Sequence, residues 1–226
     1  MEDWKVAIRK YLLEENKMKR KVLVTGANGY VGRHVVKALL DKGCEVIASD
    51  FKFDGVDERA QRNTTPIFSD EENLYEKLGS PDVVVHLAWR NGFVHNADTH
   101  ITDLPNHYNF IKKMVDAKLP QLVVMGTMHE VGYWEGAING DTPTNPTSMY
   151  GIAKNTLREA AYLLTKGSKT QLQWLRAYYI MGDDLKNNSI FITIEDNGKG
   201  MSDLLIHSVL HGKNDGIGIG NTNTYL

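Results

Sequence analysis

Lys21-Val-Leu-Val-Thr-Gly-Ala-Asn-Gly-Tyr-Val-Gly32 is the stretch whose reading decides the fold. Val22 to Thr25 are apolar or β-branched and read as a short buried strand. Gly26, Gly29 and Gly32 follow in the spacing G-x-x-G-x-x-G. A helical pattern then places Val35, Val36, Leu39 and Leu40 on one face, with Gly43 as the stop. Strand, glycine turn and helix together aim free backbone N–H groups and the positive helix end at a pyrophosphate. Gly26 turns the chain off the strand, Gly29 lets the phosphates approach, and Gly32 lets the helix pack on the strand. Alone, the triplet is equally a tight turn between packed elements. A second strand, Glu45-Val-Ile-Ala-Ser-Asp50, ends on an acid 24 positions after Gly26, near the spacing expected of a ribose-binding carboxylate. Such a carboxylate accepts from the ribose and repels a 2′-phosphate, which favours NAD over NADP; Lys52 is the nearby cation that argues the other way.

The 226 residues suffice for one large domain or one and a half. A net charge of −2 argues for neither a nucleic-acid nor a membrane surface. Cys44 is the single cysteine, so no disulfide framework exists and a reducing cytoplasm fits. No run of 18 apolar residues and no signal peptide is present.

In chain order, Trp4, Ile8, Tyr11 and Leu12 mark an N-terminal helix over residues 1–18, packed on its own domain or on another subunit. After Asp50 comes a polar connection from Phe51 to Thr65, then a third strand at Pro66-Ile-Phe-Ser-Asp70. Asp70 reaches an adenine edge or caps a helix from Glu71 to Leu78; both readings stay open. Asp82-Val-Val-Val-His-Leu-Ala88 reads as a strand covered on both faces. A polar loop (Trp89 to Thr99) and a helix (about Pro105 to Lys118) follow, then strands at Gln121–Gly126 and Leu172–Ile180. Between these last two lies a helix from near Ser148 to before Gly167. Alternating strands and helices predict a Rossmann-type, doubly wound parallel sheet with its ligand at the carboxyl ends of the strands.

Two more stretches fall at that edge. Thr127 follows the fifth strand, and Tyr150-Gly-Ile-Ala-Lys154 puts a phenol and an amine at i and i+4 on one helical face. An adjacent ammonium favours phenolate, which predicts a lowered pKa for Tyr150 and suits it to proton transfer. By itself this pair is also a common exposed helical pair. His129-Glu130 lacks the second histidine of a zinc motif, because Tyr133 stands there, so no metal is expected. His86 reads as a hydrogen-bonded core residue, and Met125 and Met128 as packing.

In this order the motifs resemble the extended short-chain dehydrogenase/reductases, the NAD-dependent epimerase/dehydratase family. The resemblance runs over about Lys19 to Asn187 and rests on Thr25–Gly32, Asp50, His86-Leu-Ala88, Thr127, Tyr150–Lys154 and Leu175–Gly182. It implies that Tyr150 is the general acid/base, that Lys154 binds the nicotinamide ribose, and that Thr127 holds the reacting hydroxyl. It also implies NAD contacts from Gly26, Asn28, Gly29, Tyr30, Val31, Gly32, Asp50, Phe51, Asp70, Leu87, Ala88, Trp89, Tyr150, Lys154 and Tyr179. The implied substrate is a nucleotide-sugar. The pattern departs at Thr102-Asp103-Leu104-Pro105, where a helix-borne asparagine is usual, and at Tyr179.

The resemblance stops near Asn188, before a full substrate lobe. Phe191-Ile-Thr-Ile-Glu-Asp196, Gly198, Gly200 and Gly216-Ile-Gly-Ile-Gly220 resemble fragments of a histidine-kinase ATP-binding domain, with Asp196 matching its adenine-binding acid. The expectation is therefore an N-terminal helix (1–18), an NAD-binding domain (19–188) with a truncated substrate lobe, and a grafted C-terminal segment (189–226). Apolar surface left by the lobe favours a homo-oligomer. The alternatives are a non-catalytic NAD-binding module or gene-fusion remnant and, on the tail alone, a kinase-like ATP-binding protein.

Overall fold

The computed structural model describes residues 20–178 and 180, and the backbone of one further strand, 192–196. The N-terminal helix, Tyr179 and most of the C-terminal segment, as expected from the sequence, lie outside the described residues.

Strand β1 (Lys21–Thr25) leads through the glycine turn into α1 (Tyr30–Asp41), and β2 (Glu45–Ser49) returns beside β1 in parallel register, Val22 opposite Val46 and Val24 opposite Ala48. Then come β3 (Gln61–Asn63), α2 (Leu74–Lys77), β4 (Val83–His86), α3 (Thr99–Thr102) and α4 (Leu104–Asp116). The chain closes its core with β5 (Gln121–Thr127), a 3₁₀ turn (Met128–Glu130), α5 (Met149–Thr165) and β6 (Gln171–Ala177). The sheet order is β3-β2-β1-β4-β5-β6-β7, where β7 (Ile192–Asp196) pairs antiparallel with β6 and the other pairs are parallel. Order reverses between β1 and β4, which opens a crevice at their carboxyl ends.

Two apolar layers explain why the central strands are near-continuous hydrophobic runs. On one face Leu23, Ile47, Val84, Leu122 and Trp174 pack with Phe110, Ile111 and Met114 of α4 and Leu157 of α5. On the other, Val22, Val24, Val46, Ala48 and Val85 pack with Ala27 and Val36.

The third strand differs from the sequence reading. It is Gln61–Asn63, paired with Ile47–Ser49, and not Pro66–Asp70. An edge strand needs backbone pairing and no apolar face, so three polar residues suffice. Ile67 instead packs on the core from a loop, and Phe68 meets the His107 ring edge-on at 4.7 Å. The following helix is also shorter than expected: Asn73 is the N-cap of α2, and Asp70 is exposed and does not cap it.

Candidate active site

The glycine turn meets the end of β4. Gly26 sits at φ +68°, and a Cβ there would lie 2.8 Å from the Ala88 nitrogen and 2.9 Å from its Cα. At Gly32 a Cβ would fall 2.1 Å from the Gly26 carbonyl oxygen, so α1 can start this close to the turn only because Gly32 has no side chain. Leu87 and Ala88 are tied to the same spot, their N–H groups donating to the Thr25 carbonyl and Thr25 Oγ1, each at 3.3 Å. Asp50 stands just past β2 with its carboxylate over the turn. It accepts from the Asn28 N–H at 2.9 Å and the Phe51 N–H at 2.7 Å. Asn28 Oδ1 in turn accepts from the Gly55 N–H at 2.8 Å. Tyr30 and Val31 open α1, and Phe51 is exposed.

Thr127, Tyr150 and Lys154 come together at the carboxyl ends of β4 and β5. Ser148 caps α5 by accepting from the Gly151 N–H at 3.2 Å, which starts the helix just before Tyr150. The Tyr150 N–H donates to the His95 carbonyl at 2.9 Å and the Met149 N–H to Asn96 Oδ1 at 3.2 Å, so the loop after β4 is fixed on the helix start. Lys154 is buried, donates from Nζ to the Met125 carbonyl at 2.7 Å, and lies 4.0 Å from the centre of the Trp89 ring.

The pKa of Tyr150 runs opposite to the sequence expectation. Burial raises it, a hydrogen bond with the Thr127 side chain lowers it, and the Glu130 charge raises it. Lys154 gives little help because its own ammonium is so desolvated that it is held down to about 7, with Glu130 pulling it back up.

Glu130 is fully buried, and sequence reasoning did not assign it a role. It closes a capping box, accepting the Thr127 N–H at 2.8 Å while Thr127 Oγ1 accepts the His129 N–H at 3.3 Å. Its carboxylate also accepts from Trp174 Nε1 at 3.1 Å and Arg176 Nε at 3.1 Å. Arg158, one turn beyond Lys154 on α5, approaches it at 3.8 Å. Burial raises its pKa against the lowering by these donors. A Cβ on Gly126 would fall 2.2 Å from Trp174 Nε1 and 2.6 Å from Glu130 Oε1, so this glycine leaves room for the cluster.

Five histidines converge here, which no ligand spacing in the sequence announced. His86 is buried as expected, with Nδ1 2.8 Å from Thr25 Oγ1 and Nε2 2.9 Å from His107 Nδ1. Burial holds His86 well below the usual imidazole range and His107 at about 3, so both are neutral. Trp89 stacks on His107 with centroids 4.2 Å apart and donates from Nε1 to His100 Nδ1 at 3.0 Å. His100, His95 and His129 surround the Tyr150 ring at centroid distances of 5.1, 6.1 and 5.6 Å. Their one sequence signal is position: His95 lies in the loop after β4, His100 in the short helix α3 that follows it, and His129 two residues past Thr127. Asp103, near the usual asparagine position, is instead the N-cap of α4 and takes both donors of an Arg90 fork. Met125 and Met128 are half-buried. Among the described residues no group of three potential ligands could hold a metal ion.

The profile of the NAD-dependent epimerase/dehydratase family matches residues 22–216. The chain belongs to this family. The match passes Ser189, where the sequence reading places a boundary. A dTDP-6-deoxy-L-talose 4-dehydrogenase (NAD(+)) of Aggregatibacter actinomycetemcomitans is 42% identical over 180 residues, covering 76% of this chain and 66% of the relative. A UDP-glucose 4-epimerase of Lactobacillus helveticus is 25% identical, covering 72% of this chain and 52% of the relative. The chain thus spans about half to two thirds of the length of these relatives. Among solved structures, a UDP-glucose 4-epimerase superposes with a TM-score of 0.58 at 22% identity, over 70% of this chain and 51% of the other. The NAD-dependent NDP-hexosamine 5,6-dehydratase TunA superposes with a TM-score of 0.59 at 20% identity, over 69% and 54%. These likenesses establish the fold.

Proposed function

We propose that this family member is an NAD-dependent oxidoreductase of the epimerase/dehydratase type acting on a nucleotide-sugar, with Tyr150 as proton-transfer group. The observation that carries the reading is the meeting of Thr127, Tyr150 and Lys154 beside a glycine turn and a ribose-type carboxylate. The residues fit a dinucleotide: the turn tolerates no Cβ at Gly26 or Gly32, and Asp50 offers acceptors beside it. Gly26, Asn28, Gly29, Asp50, Leu87 and Ala88 would hold NAD, which supplies hydride acceptance and donation when bound. Thr127 would orient the substrate hydroxyl and stabilise the phenolate. Lys154 would bind the nicotinamide ribose from α5. Tyr150 would take or return the hydroxyl proton.

The relatives' names favour a dTDP- or UDP-linked sugar. Among the described residues no helix is long and apolar enough to cross a membrane; a cytoplasmic homo-oligomer is part of the proposal. So is the division at Ser189, and the resemblance of the tail to a kinase ATP-binding fragment rests on Asp196 and its glycines alone. Calorimetry with NAD, NADP and ATP tests these nucleotide assignments together. For the enzyme itself, Tyr150→Phe should keep NAD affinity and lose about 10²–10⁴-fold in turnover of a dTDP- or UDP-sugar. Unchanged turnover would refute the role of Tyr150.

A further inference from the structure

We infer that Trp89 is a positioning residue for Lys154: its indole face, clamped by His100 and His107, holds the lysine ammonium in the site. The inference rests on the reading of Tyr150 and Lys154 given above and deepens it.

An ammonium has three N–H donors and no acceptor. Lys154 Nζ gives one to the Met125 carbonyl at 2.7 Å. Among the described residues no carboxylate pairs with it. Glu130 spends its oxygens on Thr127, Trp174 and Arg176. The second contact is Trp89: Nζ lies over the ring, 4.0 Å from its centre. The indole face is negative and is the best aromatic partner for a cation, most of all where water is excluded. Lys154 is buried, so this is such a place.

The ring itself is fixed. Trp89 Nε1 donates to His100 Nδ1 at 3.0 Å, and His100 Nε2 faces the Val94 carbonyl at 3.0 Å. An indole N–H only donates, so Nδ1 is the acceptor and Nε2 carries the imidazole proton. The His107 ring lies against the indole, with centroids 4.2 Å and planes 22° apart. His107 Nδ1 is 2.9 Å from His86 Nε2, and His86 Nδ1 is 2.8 Å from Thr25 Oγ1, so the clamp is anchored at the end of β1.

The titratable groups around Lys154 leave the task of holding its charge to this ring. Burial keeps His86 on β4 and His107 on α4 neutral, and the Lys154 charge lowers both further. Tyr150, one turn earlier on α5, is neutral because burial raises its pKa. Arg158, one turn later, and Arg176 on β6 face Glu130. Burial pulls the Lys154 amine down to about 7, with Glu130 acting against it from the turn after β5. The Met125 carbonyl and the indole face are the direct contacts that favour the charged form, and the ribose-binding and phenolate-stabilising roles both require that form.

The test titrates Lys154 in the cofactor-free protein by NMR of ε-carbon-labelled lysine, its signal identified by loss in Lys154→Met. Position 89 carries tryptophan, then mono-, di- and tetrafluorotryptophan introduced at that site alone. Fluorine drains the ring face while keeping its shape and its N–H to His100. The Lys154 midpoint should fall stepwise along the series by about one unit in all. Trp89→Leu should lower it by a similar amount, and Trp89→Phe should recover at least half. The pH profile of turnover with a dTDP- or UDP-sugar should move toward acid in the same order. A midpoint that stays level or rises along the fluorinated series overturns the proposal, and that series judges it even where Trp89→Leu fails to fold. A wild-type chain that binds no NAD or turns over no nucleotide-sugar refutes the functional reading instead, and the cofactor-free titration then judges Trp89 by itself.

Discussion

Replacing Glu130 with Gln tests whether one buried carboxylate holds the site together. It accepts from Thr127, Trp174 and Arg176 at 2.8–3.1 Å, with Arg158 3.8 Å away. It thereby ties the end of β5, the 3₁₀ turn, β6 and the helix bearing Tyr150 and Lys154. Glutamine keeps the shape, removes the charge and turns an NH₂ group toward donors. The fully buried Arg176 guanidinium loses its carboxylate. Breaking one side of a buried ion pair costs about 3–5 kcal/mol. At roughly 2–4 °C per kcal/mol for a chain of this size, the melting temperature should fall by about 6–20 °C. The carboxylate also raises the pKa of both Tyr150 and Lys154, so both should fall in the variant and shift the pH profile of turnover toward acid. Thermal and denaturant unfolding measure the first effect, and kcat against pH the second. The double variant Glu130→Gln/Arg176→Met removes the stranded cation and should recover part of the stability. A loss below about 1 kcal/mol in Glu130→Gln, or a double variant no more stable than the single one, would refute the strut.

Lys154→Met should stabilise the cofactor-free protein while abolishing turnover. Lowering a lysine from 10.5 to about 7 reflects about 4–5 kcal/mol of burial penalty, offset by the lost Met125 hydrogen bond and Trp89 contact, so a net gain of about 1–3 kcal/mol is expected on thermal unfolding. The same shift sets a pH dependence. Between about 7 and 10.5 the unfolded chain holds more protons at Lys154, so wild-type stability should rise with pH across that window, and this component should vanish in Lys154→Met. Gly26→Ala should cost more than about 2 kcal/mol and weaken NAD binding, because its φ is +68° and its Cβ would strike the Ala88 backbone. Gly43→Ala is the control: its φ is +83° with nothing within 4 Å, so only the conformational penalty of about 1–2 kcal/mol should appear.

The sequence by itself determined the frame. Runs such as Val22–Val24 and Val83–Val85 are apolar on both pleat faces, which demands a covered parallel sheet, and the glycine turn and Asp50 locate its binding edge. Ser148 announced the helix that carries Tyr150 and Lys154. Local patterns report local requirements, and these are local. The tertiary structure decided the rest. Gln61–Asn63 is a strand only because Ile47–Ser49 lies beside it, while the apolar Ile67 and Phe68 turn out to be loop residues packed inward. Tyr150 keeps a raised pKa because burial, a property of the assembled site, outweighs the amine one turn away. Glu130 and the histidines at 95, 100, 107 and 129 acquire their roles from partners far along the chain in several cases, such as His86 for His107 at a separation of 21 and Arg176 for Glu130 at a separation of 46. Spacing along a chain cannot encode which distant groups will exclude water from one another, and that exclusion is what sets the charge and proton chemistry of this site.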